Sequence, residues 1–306
     1  MNKSTKAYIA LLFICLVWGT TYLVIRIAVL RCPSFLFAGL RQVISGIIIM
    51  TIGYLMSKRI DISKDNLLHQ ALVGFLLITV GNGLVSWGEM HIPSGVAALI
   101  CSLMPIVSVI INLGISKNEK INFQIILGML LGFGGVALIF RNDINNISNK
   151  AYLLGAIATL IATSSWSLGS IINKKKTTHI NPLFNSGLQL FFGGTLLFVC
   201  SPIIDDYSNF HFFQTEVIGS LAYLIVFGSV LAYSAYMYAL KELPVGVVAL
   251  YAYVNPLVAV VLGYFILNEP LNMFTMIAFL TIVTGVYLVN YGYKLQHKKV
   301  SLQQEQ

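Results

Sequence analysis

Of 306 residues, 57% are hydrophobic and only 10% are charged, against roughly a quarter charged in an ordinary water-soluble domain. A chain of this kind lacks the polar surface to cover a water-soluble fold, and its apolar residues come in long uncharged runs, Ala71 to Gly88 and Val245 to Asn268 among them. The net charge of +8 does not point to nucleic acid, because the basic residues stand in the connections between runs rather than on one face or arm.

The first run, Ala7 to Leu30, follows Lys3 and Lys6 as a secretory signal would. It is longer than a signal core, carries Trp18, Tyr22 and Arg26, and has no small-residue cleavage site, so it reads as a retained first helix. In chain order the predicted spans cover 7–30, 34–56, 67–88, 93–116, 122–140, 151–173, 182–202, 216–240, 244–267 and 271–293. Prolines 33, 93, 182, 244 and 270 stand at or just before the start of a run, where proline is tolerated. The expectation is an all-α membrane protein of ten transmembrane helices, with no room for a folded aqueous domain. The four cysteines show no metal or redox spacing and read as packed thiols.

Loop charges orient the spans. The side holding the N-terminus collects Lys3, Lys6, Lys58, Arg59, Lys64, Lys117, Lys120, Lys174, Lys175, Lys176, Lys241, Lys294, Lys298 and Lys299, while the other has Arg26, Arg31, Arg141 and Lys150. Basic residues gather on the cytoplasmic side of a membrane, so both termini are expected there.

An internal repeat organises the chain. Ile92-Pro93-Ser94-Gly95-Val96-Ala97-Ala98-Leu99 parallels Leu243-Pro244-Val245-Gly246-Val247-Val248-Ala249-Leu250, and a second proline follows each first one at the same distance, Pro105 and Pro256. Further on, Asn118-Glu119 parallels Asn268-Glu269, and Gly135-Val136 parallels Gly285-Val286. Earlier in the halves, Trp18 pairs with Trp166, Arg26 with Lys174, and Gly39-Leu40-Arg41 with Gly187-Leu188-Gln189. The expected units are residues 1–146, residues 147–293 and a cytoplasmic tail over 294–306. Five spans per unit force the second copy into the membrane from the opposite side, which predicts two inverted five-helix repeats with a site between them.

These residues, Trp18-Gly19-Thr20, Arg41, the Pro93 to Pro105 element and the Glu119 turn with partners Trp166, Pro244, Pro256 and Glu269, resemble the drug/metabolite transporter superfamily, specifically its EamA-type members. The resemblance covers nearly the whole chain. It implies a cavity formed by spans 1 to 4 and 6 to 9 with spans 5 and 10 as outer supports, and export of amino acids or related small metabolites without a cofactor. Gln189 in place of an arginine, and Ser167-Leu168 after Trp166 in place of Gly19-Thr20, depart from a strict repeat.

Several residues are candidates for the work of a carrier. Arg41 is the basic residue deepest inside a span; a charge there is costly and faces the interior or a wet cavity. It is either the counter-ion of a substrate carboxylate or a structural arginine on helix-end carbonyls. Arg26 and Lys174 lie near helix ends, and snorkelling accounts for them. Asn82, Ser86 and Glu89 share one helix face, which must point inward. Glu89 is the candidate for proton coupling, with an interfacial glutamate as its plain alternative. Ser102 and Pro105 continue a polar stripe in the fourth span, and Pro105 and Pro256 are expected to free carbonyls in mid-membrane, as cavity-lining breaks or as kinks. Trp18, Trp166, Tyr233 and Tyr253 line a cavity or pack a core. Gly128 and Gly132 form a GxxxG that permits close helix packing or dimerisation, leaving monomer and homodimer both open. No nucleophile-base set, metal set or nucleotide loop is visible, which excludes the usual enzyme and pump classes. A channel or a non-transporting receptor remains the alternative.

Overall fold

The computed structural model describes residues 3–57, 60–115, 121–139, 149–176, 182–208, 210, 214–258 and 273–304, and all regular structure among them is helical. The elements are α1 (Lys3–Val29), α2 (Ser34–Ser57), α3 (Lys64–His91), α4 in two segments (Ser94–Cys101 and Met104–Ile115), α5 (Phe123–Ile139), α6 (Lys150–Lys175), α7 (Pro182–Ile204), α8 (Thr215–Glu242), α9 (Val245–Val258) and α10 (Met273–Gln304). Among the described residues, eight helices are long and apolar enough to cross a membrane, and two, α5 and α9, are shorter apolar helices. The turns holding Glu119 and Glu269, singled out in the sequence, lie outside the described residues.

The middle of α3 and the middle of α8 are wound as π-helix, over Phe75–Asn82 and Leu224–Leu231. These widened turns occupy corresponding places in the two halves, and nothing in the apolar pattern announces them. A widened turn loosens backbone pairing, and in an apolar layer the affected carbonyls need donors from elsewhere. Ser165 donates its hydroxyl to the Leu76 carbonyl at 2.8 Å, and Trp18 donates its indole N–H to the Gly228 carbonyl at 2.9 Å. Each donor comes from the opposite half of the chain.

The most extensive packing joins helices that the repeat makes equivalent, α2 with α7 and α5 with α10. Glycines allow it. A Cβ at Gly39 would lie 2.9 Å from the Phe198 nitrogen, one at Gly46 2.7 Å from the Phe191 nitrogen, and one at Gly53 2.7 Å from the Phe184 nitrogen. Positions rise along α2 as they fall along α7, so the two helices are antiparallel. The contacts are also reciprocal: Gly39 meets Gly194 and Gly46 meets Gly187, and the repeat register exchanges these two pairs. The same holds for α5 and α10, where Gly128 meets Gly285 and Gly135 meets Ala278. Reciprocity of this kind is what a two-fold axis produces at an interface. The GxxxG of α5 is consumed here, with Gly128 on Gly285 and Gly132 on the Tyr253 ring, so its close approach is intramolecular.

Three charged residues secure helix ends. Asp205, just after α7, accepts from the backbone N–H of Phe35 at 3.0 Å, from that of Leu36 at 2.9 Å and from the Ser34 hydroxyl at 3.2 Å. It caps the N-terminus of α2 from the other half of the chain. Asp205→Ala is expected to cost about 1 to 2 kcal/mol, seen as earlier thermal unfolding in detergent with helix content unchanged. At helix C-termini, Arg26 donates to the carbonyls of Glu89 and Ile92, while Lys174 donates to the Leu240 carbonyl at 2.6 Å and to the Leu243 carbonyl at 2.6 Å. The two sets correspond residue for residue in the repeat. Snorkelling is therefore not their role: each cation satisfies the last carbonyls of α3 or α8, where the helix dipole also favours positive charge.

Candidate functional site

A cavity lies between the halves. The first half contributes Trp18, Thr21, Tyr22 and Ile25 from α1, Arg41 and Gln42 from α2, Asn82 and Val85 from α3, and Cys101 and Met104 from α4. From the second half come Thr163 and Trp166 of α6, Ser229 and Tyr233 of α8, and Tyr251 and Asn255 of α9. Among the described residues, none of α5 or α10 lines it.

Among the described residues, Arg41 is the charged group in this lining. It is 4% exposed, and its guanidinium donates to the Asn82 side-chain oxygen at 3.0 Å while its Nε has no partner. A buried guanidinium with an unused donor is a ready receptor for a carboxylate, because charge-assisted hydrogen bonds gain most where water is excluded. Gln42 accepts from the Ser229 hydroxyl at 3.3 Å, and Asn255, with its amide turned to donate, reaches the carbonyls of Cys15 and Tyr251 at 3.0 Å.

The floor is aromatic. Trp18 and Trp166, repeat partners, meet edge to face with centroids 5.7 Å apart. Trp18 also packs on Tyr251 at 4.8 Å and on Tyr236 at 5.2 Å, and Trp166 on Tyr236 at 5.7 Å and on Tyr233 at 6.4 Å. Polar tips are tied down: Trp166 donates to the Tyr236 hydroxyl at 3.0 Å, and that hydroxyl shares a 2.5 Å bond with Ser170.

Beyond this floor is a second cavity, lined by Gln70, Asn173, Lys174, Lys176, Asn185, Gln189, Met237, Leu240 and Lys241 among others. A buried amide chain runs into it. Tyr233 donates to Gln189 at 2.7 Å, Gln189 to Gln70 at 2.6 Å and to Asn173 at 2.9 Å, Gln70 to Asn66 at 2.9 Å, and Asn66 to Asn185 at 3.0 Å. Arg41 and its repeat partner Gln189 thus line different cavities, as do Ile25 and its partner Asn173.

Of the residues singled out in the sequence, the structure brings Trp18, Arg41, Asn82, Trp166 and Tyr233 to the first cavity. Ser86 and Glu89 continue the Asn82 stripe but are sealed at 0% exposure, so Glu89 is not interfacial. Ser102 is sealed as well and donates to the Leu99 carbonyl at 2.6 Å. Pro105 is buried in the first turn of the second segment of α4, after the break at Ser102 and Leu103, and Pro256 follows a break at Ala249 and Leu250. Neither proline lines the cavity; their neighbours Met104 and Asn255 do. The two breaks also fall at non-equivalent positions of the repeat. Tyr253 points away, donating to the Met129 carbonyl of α5 at 3.0 Å. Sequence reasoning passed over Thr21, Gln42 and Ser229, which are small or uncharged and carry no signal in a single apolar run.

Comparison with known proteins follows the same division. The sequence pattern of the EamA-like transporter family matches twice, over residues 5–141 and 153–291. The chain belongs to the EamA-like transporter family. The duplicated match accounts for the paired features above, from the two π-helical stretches to the Arg26 and Lys174 contacts. The uncharacterized inner membrane transporter YedA of Escherichia coli (strain K12) is 33% identical over 92% of this chain and 90% of its own. The uncharacterized transporter YoaV of Bacillus subtilis (strain 168) is 23% identical over 92% of this chain and 96% of its own. Protein PagO of Salmonella typhimurium is 26% identical over 92% and 93%. A solved crystal structure superposes with a TM-score of 0.77 at 16% identity, covering 95% of this chain and 99% of that one, and shares the fold. With its apolar helices, this EamA-like chain is a multi-pass membrane transporter.

Proposed function

We propose that the protein is a secondary transporter that moves amino acids or related small carboxylate metabolites across the cytoplasmic membrane, in the direction of export, by alternating access between two inverted five-helix repeats. The observation that carries this reading is a pair of cavities divided by one aromatic floor, with repeat partners Arg41 and Gln189 on opposite sides of it. Antiparallel, reciprocal packing of α2 on α7 and of α5 on α10 supports the inversion. An inverted repeat lets each half adopt the other's conformation, which closes one cavity and opens the other around a fixed central site.

The contents of the first cavity favour an amphipathic substrate with a carboxylate. Arg41 would hold the anionic group, Gln42, Asn82 and Asn255 would take hydrogen bonds, and Trp18, Trp166, Tyr233 and Tyr251 would cover the apolar part. Apolar and aromatic walls with a few convergent polar groups suit a small organic ligand. The inner-membrane relative and the cytoplasmic surplus of lysine support placement in the cytoplasmic membrane with both termini inside. Family membership favours transport over catalysis, and the bonded floor between the cavities favours a carrier over an open channel.

The test is counterflow of a labelled amino-acid panel in proteoliposomes, against empty vesicles. Saturable exchange of one class is expected. Flux that never saturates would replace the carrier with a channel, and a flat response across amino and carboxylic acids would remove the substrate assignment.

A further inference from the structure

We propose that Glu89 is a proton-binding site, sealed in the present conformation and opened to water when the repeats exchange conformations; this rests on the alternating-access reading above. Glu89 is 0% exposed, and neither of its carboxylate oxygens has a hydrogen-bond partner. Ser86, one turn earlier and equally buried, has an unpartnered hydroxyl. An ionised carboxylate with no donor inside an apolar layer is costly, so its proton and its access to water are linked.

The titratable and charged groups around it come from each packed element. From α1 come Tyr22 and Arg26, from α2 Arg41, from α4 Cys101, and α6 sets Tyr152 against the same end of α3, which itself carries His91. Both guanidiniums lie within electrostatic reach, yet Arg26 donates to backbone carbonyls and Arg41 to Asn82, and no hydrogen bond joins either to the carboxylate. A metal cation fits poorly: two positive charges stand nearby, and the free oxygens are those of Glu89 and Ser86, whereas hard cations take about six oxygen ligands. A proton needs one.

The repeat supplies the route. The register that aligns Pro93 with Pro244 aligns Glu89 with Leu240 and Ser86 with Met237, and the carbonyls held by Arg26 and Lys174 obey the same register. Leu240 and Met237, themselves 1% and 5% exposed, border the second cavity, where a carboxylate would draw in water that a leucine does not. When the first repeat takes the second's conformation, Ser86 and Glu89 therefore come to line the equivalent cavity on the other side. There the carboxyl O–H gives its proton to water and leaves a solvated carboxylate; protonation from the same water restores the neutral acid before the site seals.

The experiment is a pH jump on proteoliposomes adsorbed to a solid-supported membrane, without substrate. Wild-type protein is expected to give a transient proton current, and a sodium jump at constant pH none. Glu89→Gln, shown folded by monodisperse elution and an unchanged unfolding temperature, should fall to the level of empty liposomes. A wild-type current that survives in Glu89→Gln, an absent wild-type current, or a Glu89-dependent sodium current would each overturn the proposal. Should the variant not fold, pH-difference infrared spectra of wild-type protein decide: a titrating carboxyl band at the high-frequency end typical of an acid without hydrogen bonds supports the site, and its absence overturns it. None of these readings uses a substrate, so a flat counterflow panel and a failed proton assignment remain distinct results.

Discussion

Replacing Arg41 by alanine is expected to abolish counterflow of carboxylate substrates while leaving a folded, monodisperse protein. The guanidinium is buried, has one bond to Asn82 and keeps an unused Nε, and the residue lines the first cavity. Removing one partner of a desolvated, hydrogen-bonded charge pair costs about 2 to 5 kcal/mol, or roughly thirtyfold to several thousandfold in affinity. Arg41→Lys should recover part of this loss, since it restores the charge but not the planar fork. A structural arginine predicts a different pattern, in which the variant unfolds early and all substrates suffer equally. Comparing each amino acid with its decarboxylated amine separates the two, because an amine has no group for Arg41 to hold. Equal loss for both would remove Arg41 from the binding site.

Gly46→Val and Gly187→Val should each prevent accumulation of folded protein. The Cβ at Gly46 would lie 2.7 Å from the Phe191 nitrogen and 2.9 Å from the Gly187 carbonyl oxygen, and at Gly187 it would lie 2.6 Å from the Met50 nitrogen. All of these are backbone atoms and cannot swing aside, so the α2 and α7 axes must move apart over their whole contact. Overpacking typically costs about 1 to 3 kcal/mol even where side chains can adjust, and here the strain adds to the loss of close backbone packing on which membrane helices depend. Gly114, with nothing within 4 Å of a built Cβ, is the control: Gly114→Ala should express and unfold as the parent does. Normal yields of monodisperse Gly46→Val would show that the α2 and α7 contact is not what holds the halves together.

How much of this was legible in the sequence varied from residue to residue for physical reasons. Membrane insertion is dictated by composition, since long uncharged runs have no other stable environment. The repeat was visible because proline and glycine are constrained by backbone geometry and recur in register, as Pro93 with Pro244 and Gly135 with Gly285 do. Trp18, Arg41, Asn82, Trp166 and Tyr233 stood out as costly or bulky groups inside apolar runs, and the cavity gathers them.

The rest depended on how the helices meet. Glu89, at the end of a predicted span, read either as a proton-coupling or as an interfacial glutamate, and only the structure shows Tyr22 and Arg26 of α1 closing over that end of α3. Tyr253 and Tyr251 are two residues apart and equally aromatic, and the helix turns them about 200° from one another; only the packing shows that Tyr253 faces α5 and Tyr251 the cavity. Composition and repeat pattern by themselves therefore determined a duplicated membrane bundle and the residue types available for a site. The tertiary structure alone decided which of those residues share a cavity, because the π-wound turns, the helix breaks and the glycine-to-backbone contacts that rotate each face arise from packing between helices distant in sequence.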